Sequence, residues 1–231
     1  MMEIVIVGAS GFGRDLYEYL LDAYRDSVDY RIKGFLDDDP GKLGQSVGHS
    51  SLKVIGSTQG YPIEPNDRFL ISIGNPAIRS LLADRLTKRG ATFLTFQHPS
   101  AHVAESAHLD PGCIVGPFAS VGSYASLGAH VLLNLYSVAG HDTSIGGCSV
   151  LSPHSVANGG STLGRAAFLG SHAVITPNLN VGDGCKIAAG AVVYADVPAQ
   201  SLVMGNPAAI APLSRSADAE SQDRQQNQLS A

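Results

Sequence analysis

The chain has 231 residues, of which 44% are apolar and only 15% charged, with a formal net charge of −5. Fifteen Lys and Arg leave no basic footprint for a nucleic acid, and no apolar run reaches the ~18–20 residues of a membrane span. The opening Met1-Met2-Glu3 lacks the basic and then apolar stretch of a signal peptide, so a cytoplasmic protein with no nucleic-acid or membrane partner is expected.

Residues 3–7 read as an apolar strand, followed by Gly8-Ala9-Ser10-Gly11-Phe12-Gly13-Arg14-Asp15 and a helical pattern to about Tyr24. A glycine loop between a strand and a helix directs backbone N–H groups and a positive helix end at one place, where a phosphate can bind. Residues 31–36 read as a second strand ending at Asp37, placed to reach a ribose or base. A third strand is expected over residues 69–73, leading to Gly74-Asn75-Pro76, a helix to about Arg89 and a strand over residues 92–96. Strands alternating with helices imply a parallel sheet. Only about one mononucleotide-binding half of a dinucleotide fold fits, so the expected ligand is a mononucleotide or a nucleotide-sugar.

His98-Pro99 marks a change of grammar. From Val103, every sixth residue through Leu109, Val115, Val121 and on to Ile187 and Val193 is apolar, without a slip of phase. Four residues after each of these anchors stands a mostly small residue, and the next position after an anchor is often Gly, as at Gly116, Gly122, Gly140 and Gly164. A six-residue period fits neither a helix nor an alternating strand and signals a parallel β-helix, in which three hexapeptides close an 18-residue coil. The anchor fills the interior, the small residue fits the corner, and Gly is expected there for unusual backbone angles. Cys113, Cys148 and Cys185 form no metal-type cluster and are expected as thiols; Cys113 and Cys185 lie four coils, roughly 19 Å, apart, too far for a disulfide. Beyond residue 213 the chain is rich in Ser, Gln, Asp and Arg and reads as a disordered tail.

These features, with Asn134, His141-Asp142, Gly159, the glycine loop, Phe35-Leu36-Asp37-Asp38 and the closing Gly205-Asn206-Pro207-Ala208, resemble the hexapeptide-repeat nucleotide-sugar acyltransferases, which include sialic acid O-acetyltransferases and amino-sugar N-acetyltransferases. The resemblance implies an α/β N-terminal Rossmann-like half domain (1–96), a left-handed parallel β-helix (97–212) and a tail (213–231), in a homotrimer. It implies that His141 is the general base and Asp142 tunes or orients it, that Asn134 positions the acceptor, and that Gly159, Ser171, Ala189 and Asn206 lie along acetyl-CoA. Gly8, Ser10, Gly11, Gly13, Asp37 and Asn75 would hold the nucleotide-sugar. The implied reaction moves an acetyl group from acetyl-CoA to an amino or hydroxyl group of the sugar, without a metal. One departure stands out: where many members carry a second His, nine residues after the base, this chain has Val150.

Two other readings remain open at this level. One is a catalytically silent, trimeric nucleotide-binding scaffold. The other is a γ-type carbonic anhydrase, since His154 and His172 lie 18 residues apart and stack on one face, although two histidines do not complete a zinc site.

Overall fold

A computed structural model describes residues 1–48 and 52–213; the residues expected as a tail, from 214 on, lie outside them. The chain begins with strand β1 (Met2–Val7), helix α1 (Gly11–Tyr24) and strand β2 (Tyr30–Leu36). The short strand β3 (Val54–Gly56), β4 (Asp67–Ile71) and helix α2 (Pro76–Lys88) follow. The four strands form a parallel sheet in the order β3-β2-β1-β4. Parallel strands are buried on both faces. On one face Ile4, Ile6, Phe35 and Leu70 pack with Leu16 and Leu20 of α1; on the other, Val5, Val7, Phe69 and Ile71 pack with Leu82 and Leu86 of α2.

Sequence reasoning missed β3, which is three residues long and has no alternation to read. The strand expected over residues 92–96 is divided between two structures: Phe93 bridges Phe69 of β4, whereas Phe96–Gln97 pairs with Ile114–Val115 and is the first rung of the solenoid.

From there the chain coils through two-residue strands that stack into three parallel sheets, closed at the far end by a hairpin of Ser201–Met204 and Ala209–Pro212. Their five-, six- and eight-stranded faces make the expected left-handed parallel β-helix. Pairing joins residues 18 apart, as in Leu133 with Leu151 and Ala139 with Ala157. Every anchor from Val115 to Val193 is at most 1% exposed. Most of the small corner residues are buried too; Ser137, Thr143, Ser155 and Ser161 each donate to the carbonyl three residues earlier, and Ser149 donates to Gly164 O on the next coil.

The glycine after the anchor has a different cause from the one expected. Positive φ falls two residues later, at Phe118, Tyr124, His130, Tyr136, Asp142, His154 and His172, so most left-handed positions carry side chains. Gly122 and Gly146 are needed because a Cβ there would lie 2.5 Å from the backbone nitrogen of His141 and of Arg165, one coil on.

The outer side of the eight-stranded face carries Ile114, Leu132, Val150 and Phe168, which join the core of Ile4, Ile6, Leu16 and Phe35. On the five-stranded face the equivalent positions are polar, as at Ser126 and Ser144. The apolar column at Ile114, Leu132, Val150 and Phe168 is therefore where the sheet domain docks. Val150 belongs to this seam and is 2% exposed: the position of the missing second His is filled by an apolar contact between the domains.

Candidate active site

His141 and Asp142 occupy the corner that follows Val138–Ala139 of the six-stranded face. Asp142 takes the left-handed position of that corner, φ 57°, a conformation that Asp tolerates better than most residues. Its Oδ2 lies 2.8 Å from His141 Nδ1, and the two side chains are 72% and 61% exposed. With Nδ1–H donating to the carboxylate, Nε2 keeps its lone pair and is free to accept a proton. Gly159 sits one coil on, and a Cβ there would come within 2.4 Å of Nε2. The ring therefore needs glycine above it. The backbone N–H of Gly159 has no hydrogen-bond partner among the described residues, so an imidazole nitrogen and a free N–H donor share one corner.

The remaining residues expected to act with His141 stand elsewhere on the coil. Asn134 follows Leu132–Leu133 of the eight-stranded face, so one chain places it a full side of the triangle from His141. Its Oδ1 accepts from Leu135 N at 2.7 Å. Ser171 and Ala189 lie on the same corner column as each other, after Phe168–Leu169 and Lys186–Ile187 of that face, and Asn206 sits in the closing hairpin. On a single chain the expected residues thus fall into two separate groups, one with His141, Asp142 and Gly159, the other with Asn134, Ser171 and Ala189.

Along that second corner the rings of Phe118, Tyr136, His154 and His172 stack at 4.9, 4.9 and 4.8 Å, with interplanar angles of 11°, 9° and 2°. The sequence expectation that His154 and His172 share a face is met. Rings stacked face to face in parallel planes do not converge their nitrogens on a common ion, and no group of three or more His, Cys, Asp or Glu among the described residues is placed to hold a metal.

The residues expected to hold a nucleotide gather at the C-terminal edge of the parallel sheet, where open α/β sheets bind ligands. Gly8 and Gly13 shape the loop: a Cβ on Gly13 would strike Gly8 O at 2.2 Å, and one on Gly8, at φ +110°, would strike Ile73 and Ser72. Gly11, at the start of α1, faces open space, and the Ser10 hydroxyl makes no capping hydrogen bond, which leaves the first N–H groups of the helix uncapped by it. Asp37 and Asn75 already have partners. Asp37 accepts from Ala9 N and Asp39 N and pairs with Lys42, which braces the loop. Asn75 Oδ1 caps α2 through Ala77 N and Ile78 N.

Residues 3–86 match the family model of the PglD N-terminal domain. The match covers the sheet domain and not the solenoid. The chain is 33% identical over 116 residues to UDP-N-acetylbacillosamine N-acetyltransferase of Bacillus subtilis (strain 168); that match takes in 49% of this chain and spans about half, 51%, of the relative. Among solved structures, the acetyltransferase domain of PglB from Neisseria gonorrhoeae FA1090, in complex with acetyl coenzyme A, superposes with a TM-score of 0.81 at 26% identity. It covers 90% of this chain and 98% of its own. PerB from Caulobacter crescentus, in complex with CoA and GDP-perosamine, gives 0.78 at 27% identity, over 91% and 98%. In fold and domain order the chain stands with the hexapeptide-repeat nucleotide-sugar acyltransferases.

Proposed function

We propose that the protein is an acetyl-CoA-dependent acetyltransferase acting on the amino group of a nucleotide-linked sugar, with His141 as general base. The observation that carries this reading is the exposed His141–Asp142 pair, 2.8 Å apart, beside the unpartnered N–H of Gly159, in a fold whose similar structures hold acetyl-CoA, or CoA with GDP-perosamine. The neutral amine attacks the thioester carbonyl carbon while Nε2 takes its proton. The oxygen gains negative charge and the Gly159 N–H donates to it. The C–S bond then breaks, the amide remains on the sugar, and the proton passes from the imidazolium to the departing CoA sulfur. An acceptor held as ammonium first loses its extra proton to water.

Because one chain separates Asn134, Ser171 and Ala189 from His141 by a side of the coil, the reading includes a homotrimer in which the Asn134 corner of one copy faces the His141 corner of the next. The face between these corners supports it: Val138, Val156, Val174 and Val192 form a half-buried apolar column on its outer side, suited to burial against another copy. Gly11, Ser10 and the first turn of α1 then hold the nucleotide diphosphate. No helix among the described residues is long and apolar enough to cross a membrane; acetyl-CoA use fits the cytoplasm.

The test is to incubate the protein with acetyl-CoA and UDP- or GDP-linked amino sugars, following free CoA thiol and the mass of the sugar nucleotide. An acetylated product is expected, with light scattering at three times the chain mass. Nucleotide binding without any acetylated product would favour a silent scaffold.

A further inference from the structure

Arg79, in α2, is 0% exposed and makes no ion pair among the described residues. A guanidinium buried without an anion is expensive, and burial lowers its pKa to about 10, which still leaves it charged at neutral pH. Nε and Nη1 donate to backbone carbonyls of two domains, while the buried Nη2 has no partner among the described residues. Nη1 donates to Ile71 O and, at 3.2 Å, to Ile73 O, at the end of β4; Nε donates at 2.5 Å to the carbonyl of His130, a left-handed corner of the solenoid. The His130 ring packs edge-to-face with Phe93, the centroids 4.4 Å apart.

Ile71 and Ile73 bracket Ser72, and Ser72 reaches the glycine loop. Its N–H donates to Val7 O at 2.8 Å, and its hydroxyl lies 2.8 Å from Val7 O and 2.9 Å from Gly8 O. A continuous line of hydrogen bonds therefore runs from the solenoid corner at His130, through Arg79 and the end of β4, to the turn that opens the loop. The chain leaving His130 reaches His141 eleven residues later.

We propose that Arg79 is a positioning residue for the acceptor: with Ser72, it ties the loop that presents the nucleotide to the solenoid that carries His141, and so fixes where the sugar amine arrives. This rests on the acetyltransferase reading above. Packing alone does not call for a guanidinium, because a side chain of similar length without charge would fill the same space at no desolvation cost. Only the planar fork of Arg spans three carbonyls in fixed directions.

The test uses full-length Arg79→Met, Arg79→Lys and Ser72→Ala. With Arg79→Met, which leaves buried carbonyls without their donor, the melting temperature is expected to fall by several degrees, while acetyl-CoA affinity stays near wild type and UDP or GDP affinity falls by no more than about threefold. kcat on the nucleotide amino sugar should fall about 10–100-fold, as misplacement by an ångström does, with partial recovery in Arg79→Lys. Hydrogen exchange at residues 8–13 should quicken in Arg79→Met and Ser72→Ala, while amides of the solenoid coils stay protected. Wild-type kcat in folded Arg79→Met, or equal loss of all ligand binding and of solenoid protection, overturns the proposal. If Arg79→Met does not fold, Arg79→Lys and Ser72→Ala decide it by the same two readouts. If the wild-type protein acetylates no sugar, the acetyltransferase reading fails on its own; unchanged exchange at residues 8–13 in the variants would still separately refute the tie.

Discussion

The sheet domain and the solenoid both bury parallel strands, yet they place their functional groups by opposite means. In the sheet domain, strands of five to seven residues such as β2 and β4 carry the order, and the C-terminal edge is made by loops in which Gly8 and Gly13 are individually required. In the solenoid, two-residue strands repeat one plan, and the site arises where a corner departs from its column. His141 has Ser123 one coil before it and Gly159 one coil after, and Asp142 has Tyr124 and Gly160. A regular scaffold therefore leaves its outward corners free to vary without cost to the core.

The sharpest way to break this contrast is His141→Ala. If the corner is purely chemical, kcat should drop about 10²–10⁴-fold, the usual worth of a positioned general base, while the urea midpoint stays put, since a 72% exposed side chain leaves no cavity. Asp142→Asn should cost less, about tenfold in kcat, by loosening the tautomer. Leu151→Ala tests the other half. Removing this 0% exposed anchor should cost about 2–5 kcal/mol in urea unfolding; a loss under 1 kcal/mol would mean that neighbouring coils collapse into the gap.

Gly159→Ala joins the two ideas, since its Cβ would meet His141 Nε2 at 2.4 Å. It should displace the ring and lower kcat about tenfold, with the melting temperature little changed. Gly11→Asp asks the same of the sheet domain. A Cβ there meets nothing within 4 Å, so the fold should hold, while charge repulsion raises the nucleotide-sugar KM about tenfold and leaves the acetyl-CoA KM unchanged.

The smallest effect belongs to the seam. His130 is lowered to about 4, by burial first and then by the nearby Arg79 charge. Its folded pKa lies below the ordinary value near 6.5, so the unfolded chain takes up a proton first and stability falls as pH drops from about 6.5 towards 4. His130→Asn, which suits the left-handed backbone there, should show a shallower loss of melting temperature over that range. Parallel curves would place the acid sensitivity elsewhere.

The solenoid was legible because its period is strict: each anchor from Val115 to Val193 is in the core. The cause of the glycines was not, since a sequence displays flexibility and contact with the next coil alike. The docking seam at Ile114, Leu132, Val150 and Phe168 was not singled out, because the column of Val138, Val156, Val174 and Val192 on another face is apolar at the same spacing. Arg79 left no trace, because in sequence it is one more cation on a helix; its role depends on which carbonyls tertiary packing brings to it. His141 and Asp142 were found through resemblance, and the geometry between them supplied what resemblance lacks, the choice of ring nitrogen left free.

The three cysteines are all buried, and burial pushes the Cys113 thiol up to about 12 and raises those of Cys148 and Cys185. At neutral pH such thiols offer a maleimide almost no thiolate. The chain therefore already serves as a background for site-directed labelling: with one cysteine introduced on the glycine loop and one on an exposed corner of a coil, those two would take the donor and acceptor dyes, and the distance between them could be read by fluorescence transfer without first stripping out native thiols.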